Sequence, residues 1–310
     1  MDETTNPTTS PATSKPALPH GVFCAALTPV HADLTPHYQL FAAHCLKLLN
    51  TGLTGVALLG TTGEANSFSS AERKALLETA LKAGIAPQRL IPGTGVTALT
   101  ETVDLTRHAL SVGVNTVLML PPFYYKNITD DGLFAAYAEV AERIGDAKLG
   151  IILYHIPQFS AVPIPFAVIE RLRARYPGTF VGIKDSAGDL QHMVDLAASF
   201  PGFSVLSGAD PLMLPLLHKG GAGAITATAN IAGADLAFVF KNFRDESLQD
   251  EVQAAQARLV SARSRSTVFA QMASLKALVA HQSGEADWYN MRPPLVKLSA
   301  EEREKLLASF

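Results

Sequence analysis

Short runs of β-branched and other apolar residues alternate along most of the chain with longer segments that have the apolar spacing of helices. From Gly21 onward this alternation predicts eight strands with helix-length segments between them. Each strand is an almost continuous apolar run, which is typical of a parallel sheet covered on both faces. The predicted strands are residues 21–28, 55–60, 89–95, 116–122, 149–155, 180–185, 203–208 and 223–229.

Eight strand–helix units in about 230 residues predict an α/β fold, a (β/α)8 TIM barrel over residues 21–247. The main alternative is an open doubly wound sheet. Such a sheet usually has a glycine-rich dinucleotide-binding turn after its first strand, and residues 27–36 contain none. Beyond the barrel the pattern is wholly helical, so we predict a C-terminal helical region over residues 248–310. Its predicted helices are residues 250–265, 269–284 and about 300–309.

Composition places the chain among soluble globular proteins. Of its 310 residues 48% are hydrophobic and 17% are charged, with a formal net charge of −3. There is no basic surplus, so no nucleic-acid partner is expected, and no apolar stretch is long enough to predict a membrane span. Residues 1–20 are rich in Ser, Thr and Pro without an apolar core, which predicts a disordered extension rather than a secretory signal. Cys24 and Cys45 lack metal or redox spacing and are predicted to be reduced core residues of a cytoplasmic protein.

Polar residues collect at the carboxyl-terminal ends of the predicted strands, where TIM barrels carry their active sites. Each segment has a structural alternative, such as a helix-capping turn, aromatic packing or a buried tyrosine bonded to the backbone. Those alternatives do not explain why the segments follow successive strands. The segments are GTTGE (60–64), PPFYYK (121–126), LYHIP (153–157), Lys184 and SGAD (207–210).

Lys184 ends a buried strand and shares a face with Gly182, because strand side chains alternate. The glycine is interpreted as leaving room for a molecule to approach the amine; the alternative is a lysine that extends into solvent. A neutral lysine amine forms a Schiff base with a ketone, and the resulting iminium accepts electrons when a neighbouring C–C or C–H bond breaks. Tyr154 could move the proton, and the GTTGE turn could hold a carboxylate.

Other catalytic motifs are absent from the sequence. It contains no HExxH, paired-histidine, CxxC, GxSxG or Walker A pattern, so neither a metal ion nor a separate cofactor is predicted. His155 lies beside the proposed site but is expected to point away from the face that carries Tyr154.

The motifs GTTGE, PPFYYK, LYHIP, GIKDSAGDL, SGAD and GAITATAN together resemble the dihydrodipicolinate synthase/N-acetylneuraminate lyase superfamily of class I aldolases over most of residues 21–300. The resemblance implies that Lys184 forms the Schiff base and that Tyr154 relays protons and orients a 2-oxo acid. It implies that Thr61 and Thr62 serve the relay and bind the carboxylate. Tyr125 would complete the relay from a neighbouring subunit of a homotetramer, a dimer of dimers.

The resemblance also implies a set of substrate-binding residues around these groups. Gly60 belongs to the carboxylate-binding turn, and Ile225 packs near the imine. Gly208 and Asp210 line the distal end of the substrate.

Two departures from the family pattern bear on the substrate. Phe159 stands where dihydrodipicolinate synthases have an arginine for the aldehyde's carboxylate, and Pro211 stands where sialic acid lyases have a carboxylate. With Phe123 and Ala209, these residues predict a less polar distal pocket.

The expected function is a metal-free, Schiff-base lyase for a 4-hydroxy-2-oxo acid, with pyruvate as the common half. The alternatives are dihydrodipicolinate synthase itself, a 2-oxo acid dehydratase or hydratase, and a non-catalytic 2-oxo acid binding protein.

Overall fold

The computed structural model describes residues 16–310, and eight parallel strands form a barrel at its centre. Hydrogen-bonded neighbours follow the order β3-β2-β1-β8-β7-β6-β5-β4. The barrel closes where Gly93 bridges Leu118 in parallel and the N–H of Thr94 donates to the Leu118 carbonyl at 2.9 Å. The predicted (β/α)8 barrel is therefore confirmed. The strands are β1 (Gly21–Ala25), β2 (Gly55–Leu58), β3 (Leu90–Pro92), β4 (Thr116–Met119), β5 (Gly150–His155), β6 (Phe180–Asp185), β7 (Ser204–Ser207) and β8 (Gly223–Thr226).

Helices surround the barrel and continue beyond it, and their ends follow local capping chemistry. The side chain of Thr129 accepts from the N–H of Gly132 at the start of one helix, which ends at Gly145 in the left-handed conformation. None of the helices in residues 16–310 is long and apolar enough to cross a membrane. The helices are α1 (Tyr38–Asn50), α2 (Ser70–Lys82), α3 (Leu99–Ser111), α4 (Asp130–Ile144), α5 (Pro157–Ser160), α6 (Phe166–Arg175), α7 (Leu190–Ser199), α8 (Asp210–His218), α9 (Ala229–Asn242), α10 (Gln249–Ser266), α11 (Gln271–Ser283) and α12 (Ala300–Ala308).

The strands are buried on both faces, as their apolar runs predict. In β5, Ile152 and Tyr154 belong to the hydrophobic cluster inside the barrel. Ile151 and Leu153 belong to the larger cluster between the strands and the helices. Alternating residues of one strand thus fill two separate cores.

A β-bulge in β6 sets which side chains face each other at the mouth of the barrel. The pairing with β5 shifts between Phe180 and Gly182, so Val181 is an extra residue without a partner in β5. Beyond the bulge, Lys184 lies opposite Tyr154.

Gly182 is required by the close packing of β6 on β7. A Cβ atom at this position would lie 2.5 Å from the Ser204 carbonyl oxygen and 3.0 Å from the Ser204 Cβ. The approach of the two strands, rather than access to Lys184, therefore explains the glycine.

The C-terminal helices cover part of the carboxyl-terminal end of the barrel. Leu275 and Val279 of α11 form one hydrophobic cluster with Leu27, Ala227 and the fully buried Trp288. Leu27 follows β1 and Ala227 follows β8, so this cluster fastens the C-terminal region to the end of the barrel where the predicted site lies.

Residues 1–15 of the predicted extension lie outside the described residues. Residues 16–20 have no regular secondary structure and line, with Phe23 and Leu90, a cavity of about 390 Å³ at the opposite end of the barrel. The His20 ring contacts Phe240 edge-on at 5.2 Å.

Cys24 and Cys45 are both buried and free, as predicted. Burial raises the pKa of both thiols, to about 12 for Cys45. Both side chains therefore act as small apolar core residues.

Candidate active site

A cavity of about 340 Å³ opens at the carboxyl-terminal end of the strands. Lys184, Tyr154 and Ile225 enter it from β6, β5 and β8, and all three are buried. Four more predicted site residues line it from the loops and the short helix α5. These are Thr61, Thr62, Phe159 and Gly208.

Lys184 is a buried amine without a carboxylate partner. Its side chain is 4% exposed, and its Nζ lies 4.3 Å from the centroid of the Tyr154 ring. Its Nζ makes no ion pair or hydrogen bond with any other residue in the range 16–310. The amine is therefore not engaged with a carboxylate and is available as a nucleophile.

Tyr154 and Thr61 form a hydrogen-bonded pair at the cavity wall. The Tyr154 hydroxyl lies 3.2 Å from the Thr61 Oγ1, and either oxygen can donate. The tyrosine is 3% exposed, so its hydroxyl is shielded from bulk water. The pair can pass a proton between the interior of the barrel and the turn after β2.

The turn that carries Thr61 has a fixed backbone. The hydroxyl of Thr28 donates to the Gly63 carbonyl at 2.9 Å. Leu59, just before the turn, and Glu64, its last residue, have left-handed backbone angles, with φ of 54° and 56°. Such conformations are unfavourable for residues with a side chain and tend to occur at functional sites. Gly60 lies beside the main cavity, in a small cleft that Thr61 and Tyr154 also line.

A buried ion pair that sequence analysis missed joins this turn to the C-terminal region. The Lys276 Nζ of α11 lies 2.5 Å from the Glu64 carboxylate, and both side chains are almost fully buried. The same amine donates to the Asn290 carbonyl at 2.9 Å. Burial lowers the pKa of Lys276, although the Glu64 carboxylate opposes the shift. Nothing in the local sequence pattern indicates that these two distant residues meet.

We expect Lys276→Met to lower the free energy of unfolding by about 3–5 kcal/mol, because the Glu64 carboxylate would remain buried and unpaired. Denaturant unfolding monitored by circular dichroism measures the change. The double variant Lys276→Met/Glu64→Gln should lose less than the sum of the two single losses, since the two residues interact directly.

The exposed pair Lys82–Glu78 provides the matched control. Its side chains lie 3.2 Å apart and are 78% and 38% exposed. Lys82→Met should therefore change the free energy of unfolding by less than about 0.5 kcal/mol. If Lys276→Met and Lys82→Met lower the free energy of unfolding equally, the buried pair stabilises the protein no more than the exposed pair does.

Tyr125 does not reach the cavity of its own chain. Its side chain and that of Tyr124 are each 72% exposed, and the two rings contact edge-to-face with centroids 5.4 Å apart. Tyr125 is not among the cavity-lining residues, so its relay role stays a prediction that needs a second copy of the chain. Phe159 is 66% exposed at the cavity, where the family arginine was expected.

Asp210 is buried and does not line the cavity, unlike the sequence-based expectation. It begins α8, and its Oδ2 accepts from the Thr228 hydroxyl at 2.7 Å. The same oxygen lies 3.4 Å from Nη1 of Arg263. The helix start therefore places this carboxylate behind the cavity wall, where it contacts Thr228 and Arg263 instead of the cavity space.

The C-terminal region supplies one wall of the cavity, which sequence analysis did not predict. Arg263 of α10 and Gln271 and Met272 of α11 line it. Lys184 and Arg263 are the charged residues in the lining, and no aspartate or glutamate among the described residues contributes to it. The cavity therefore has a cationic character.

His155 points away from the cavity, as predicted. Its Nδ1 accepts from the N–H of Ile164 at 3.1 Å, and its ring stacks on His192. The His192 Nδ1 lies 2.6 Å from the Asp185 carboxylate, which also accepts from the N–H of Ala187. Burial lowers the pKa of His155. These contacts hold the turn after β6 from outside the barrel.

Comparisons with known proteins identify the family. The family model for the dihydrodipicolinate synthetase family matches residues 18–310. An uncharacterized DapA-like lyase of Chloroflexus aurantiacus is 37% identical, over 95% of this chain and 97% of its own. The 4-hydroxy-tetrahydrodipicolinate synthase of Listeria monocytogenes serovar 1/2a is 32% identical, over 93% of this chain and 96% of its own.

The structural comparison agrees with the sequence comparisons. The crystal structure of dihydrodipicolinate synthase from Agrobacterium tumefaciens superposes with a TM-score of 0.86 at 33% identity. It covers 94% of this chain and 98% of its own. Members of the matching family are lyases that form and cleave carbon–carbon bonds. The chain therefore belongs to the dihydrodipicolinate synthetase family, and it is an enzyme of the carbon–carbon lyase class.

Proposed function

We propose that this enzyme is a Schiff-base aldolase that cleaves or forms the C3–C4 bond of a 4-hydroxy-2-oxo acid, with pyruvate as the common half. The observation that carries the proposal is the arrangement of three side chains. Lys184 and Tyr154 are register partners on neighbouring buried strands, and the Thr61 hydroxyl lies 3.2 Å from that of Tyr154. The Lys184 amine, which has no carboxylate partner, would be the nucleophile, and the hydroxyls of Tyr154 and Thr61 would relay protons.

The covalent step uses the Lys184 amine. Its nitrogen attacks the C2 carbonyl of the 2-oxo acid. Loss of water, with one proton supplied through the Tyr154–Thr61 pair, then gives a protonated imine. The turn at residues 60–64 supports this step, because the Thr61 and Thr62 hydroxyls and the backbone N–H groups there can donate to the C1 carboxylate. Binding the carboxylate would aim C2 at the amine.

Bond cleavage follows from the electron demand of the iminium. Removal of the C4 hydroxyl proton, which we assign to Tyr154, lets the C3–C4 bond break and releases an aldehyde. The electron pair of that bond passes to the iminium and leaves an enamine on Lys184. Protonation at C3 and addition of water then release pyruvate and restore the amine. Condensation is the reverse sequence.

Dihydrodipicolinate synthesis is the alternative, and in this chain it would need a residue outside the loop after β5 to bind the carboxylate of the semialdehyde. Phe159, and not an arginine, occupies the position expected to bind the carboxylate of the semialdehyde, and its ring is 66% exposed at the cavity. A dehydratase would share the imine with Lys184 but eliminate water without splitting the carbon chain. Product masses separate these reactions.

We also propose that the active form is a homotetramer, in which Tyr125 completes the relay of a neighbouring subunit. The support is the family motif together with the 72% exposure of this side chain in the single chain. We propose in addition that this tetramer is located in the cytoplasm.

Borohydride trapping tests the proposed function. The protein is incubated with pyruvate, reduced with borohydride, digested and analysed by peptide mass spectrometry. We expect an adduct on the peptide that contains Lys184, and mixtures of pyruvate with aldehydes should give products that retain all carbons of both reactants. A folded sample without any pyruvate adduct would contradict the proposal.

A further inference from the structure

We propose that Arg263 of helix α10 binds a carboxylate at the distal end of the substrate, so that the preferred substrate is a 2-oxo diacid. This inference rests on the proposed function, because it concerns the part of the substrate that lies beyond the imine with Lys184. It assigns substrate selectivity to the C-terminal region and not to the loop after β5.

The first support is the charge of the cavity. Arg263 and Lys184 both line it, and no acidic side chain of residues 16–310 does. Once Lys184 has formed the imine with C2, and the C1 carboxylate has bound at the turn, Arg263 is the remaining charged side chain in the lining. A second carboxylate on the substrate would give this guanidinium a partner inside the cavity, in addition to its long contact with Asp210.

The second support is the free donor capacity of Arg263. Among the described residues, the Arg263 side chain makes one hydrogen bond, and it is long. Its Nη1 lies 3.4 Å from the Asp210 carboxylate. That carboxylate oxygen already accepts from the Thr228 hydroxyl at 2.7 Å. The other N–H groups of Arg263 have no partner within residues 16–310, and a planar guanidinium can bind a carboxylate through two of them.

Asp210 acts here as a positioning residue. It is fully buried, and its backbone carbonyl accepts from Gln256 Nε2 of α10 at 2.8 Å. The start of α8 is therefore tied to α10, and the Asp210 carboxylate holds the Arg263 side chain from behind. The residue that the family pattern assigns to the distal substrate would act through this arginine.

A second donor lies on the same wall. Gln271, the first residue of α11, lines the cavity, and its Nε2 is shielded from solvent without a hydrogen-bond partner among the described residues. A carboxylate bound by Arg263 could accept from this amide as well, which would satisfy a buried donor that is otherwise unpaired.

The test compares 2-oxo acids of equal length with and without a distal carboxylate. The pairs are 2-oxoglutarate and 2-oxopentanoate, 2-oxoadipate and 2-oxohexanoate, and 2-oxopimelate and 2-oxoheptanoate. For each acid, borohydride trapping on Lys184 gives the concentration for half-maximal adduct. We expect at least one diacid to half-saturate the wild type at a concentration about tenfold or more below that of its monoacid.

Arg263→Met should bring this ratio close to one, and Arg263→Lys should retain part of it because the charge remains without the fork. Arg265→Met is the matched control, since Arg265 lies on the same helix and does not line the cavity; it should keep the wild-type ratio. If Arg263→Met does not fold, Arg263→Gln replaces it.

Three outcomes separate the two proposals. Equal half-saturation by diacid and monoacid at all three lengths in the wild type would overturn the role of Arg263. So would a diacid preference that survives Arg263→Met. A wild type that forms no adduct even with pyruvate would instead overturn the Schiff-base function itself, which the pyruvate reaction tests without any distal group.

Discussion

Replacing Lys184 with alanine is expected to abolish the borohydride adduct and to lower kcat by on the order of 10⁴-fold or more, because the variant loses the amine that we propose forms the imine. Lys184 lies in the cavity without a carboxylate partner, so its amine is the available nucleophile. Steady-state turnover and peptide mass spectrometry after trapping with pyruvate measure both effects.

Two other lysines sharpen this test. Lys126 donates to the backbone carbonyls of Phe123 and Ser160 and does not line the cavity, so Lys126→Ala should keep the adduct on Lys184. Lys276 is also deeply buried, but it is paired with Glu64. An adduct found on Lys276, or normal turnover by Lys184→Ala, would refute the assignment of the nucleophile.

Tyr154→Phe is expected to lower kcat by about 10²–10⁴-fold, the range for loss of a general acid–base group. The nucleophile remains, so prolonged incubation with pyruvate and borohydride should still label Lys184. The measurement is kcat together with the extent of trapping. Loss of both would mean that the tyrosine supports the structure of the site instead of proton transfer.

Variants of Thr61 provide the graded control for the same prediction. Thr61→Val removes the hydroxyl 3.2 Å from that of Tyr154 and should lower kcat by about tenfold to 100-fold. Thr61→Ser keeps a hydroxyl and should stay near the wild type. If the serine and valine variants lose equal activity, the threonine does not act through its oxygen.

The order of strands and helices was predictable because the information is local. Strand β5 is buried on both faces, and its apolar run shows this directly. Helix ends depend on neighbouring residues such as Thr129 and Gly145. Strand ends are less local: the apolar run at residues 89–95 exceeds β3, because pairing with β2 stops at Pro92 opposite Leu58.

The strand-borne part of the candidate site was also predictable, since parallel strands bring their carboxyl ends together. The positions of Lys184, Tyr154 and Thr61 followed from that rule. Arg263 and Lys276 did not, because they belong to helices whose position over the barrel depends on tertiary packing. The exact register of β5 and β6 could not be predicted from the sequence either. The bulge that aligns Lys184 with Tyr154 depends on how β6 pairs with β5, a separate strand.

The pairing of Glu64 with Lys276 has a consequence for the order of events during synthesis of the protein. The ribosome produces the turn with its threonines directly after β2, whereas its buried counter-ion emerges only with α11, after all eight strands. Until then the Glu64 carboxylate has no partner in a closed site and favours water. The ion pair at this turn can therefore form only after α11 has been synthesised and has packed against the barrel, and not when the first strands pair.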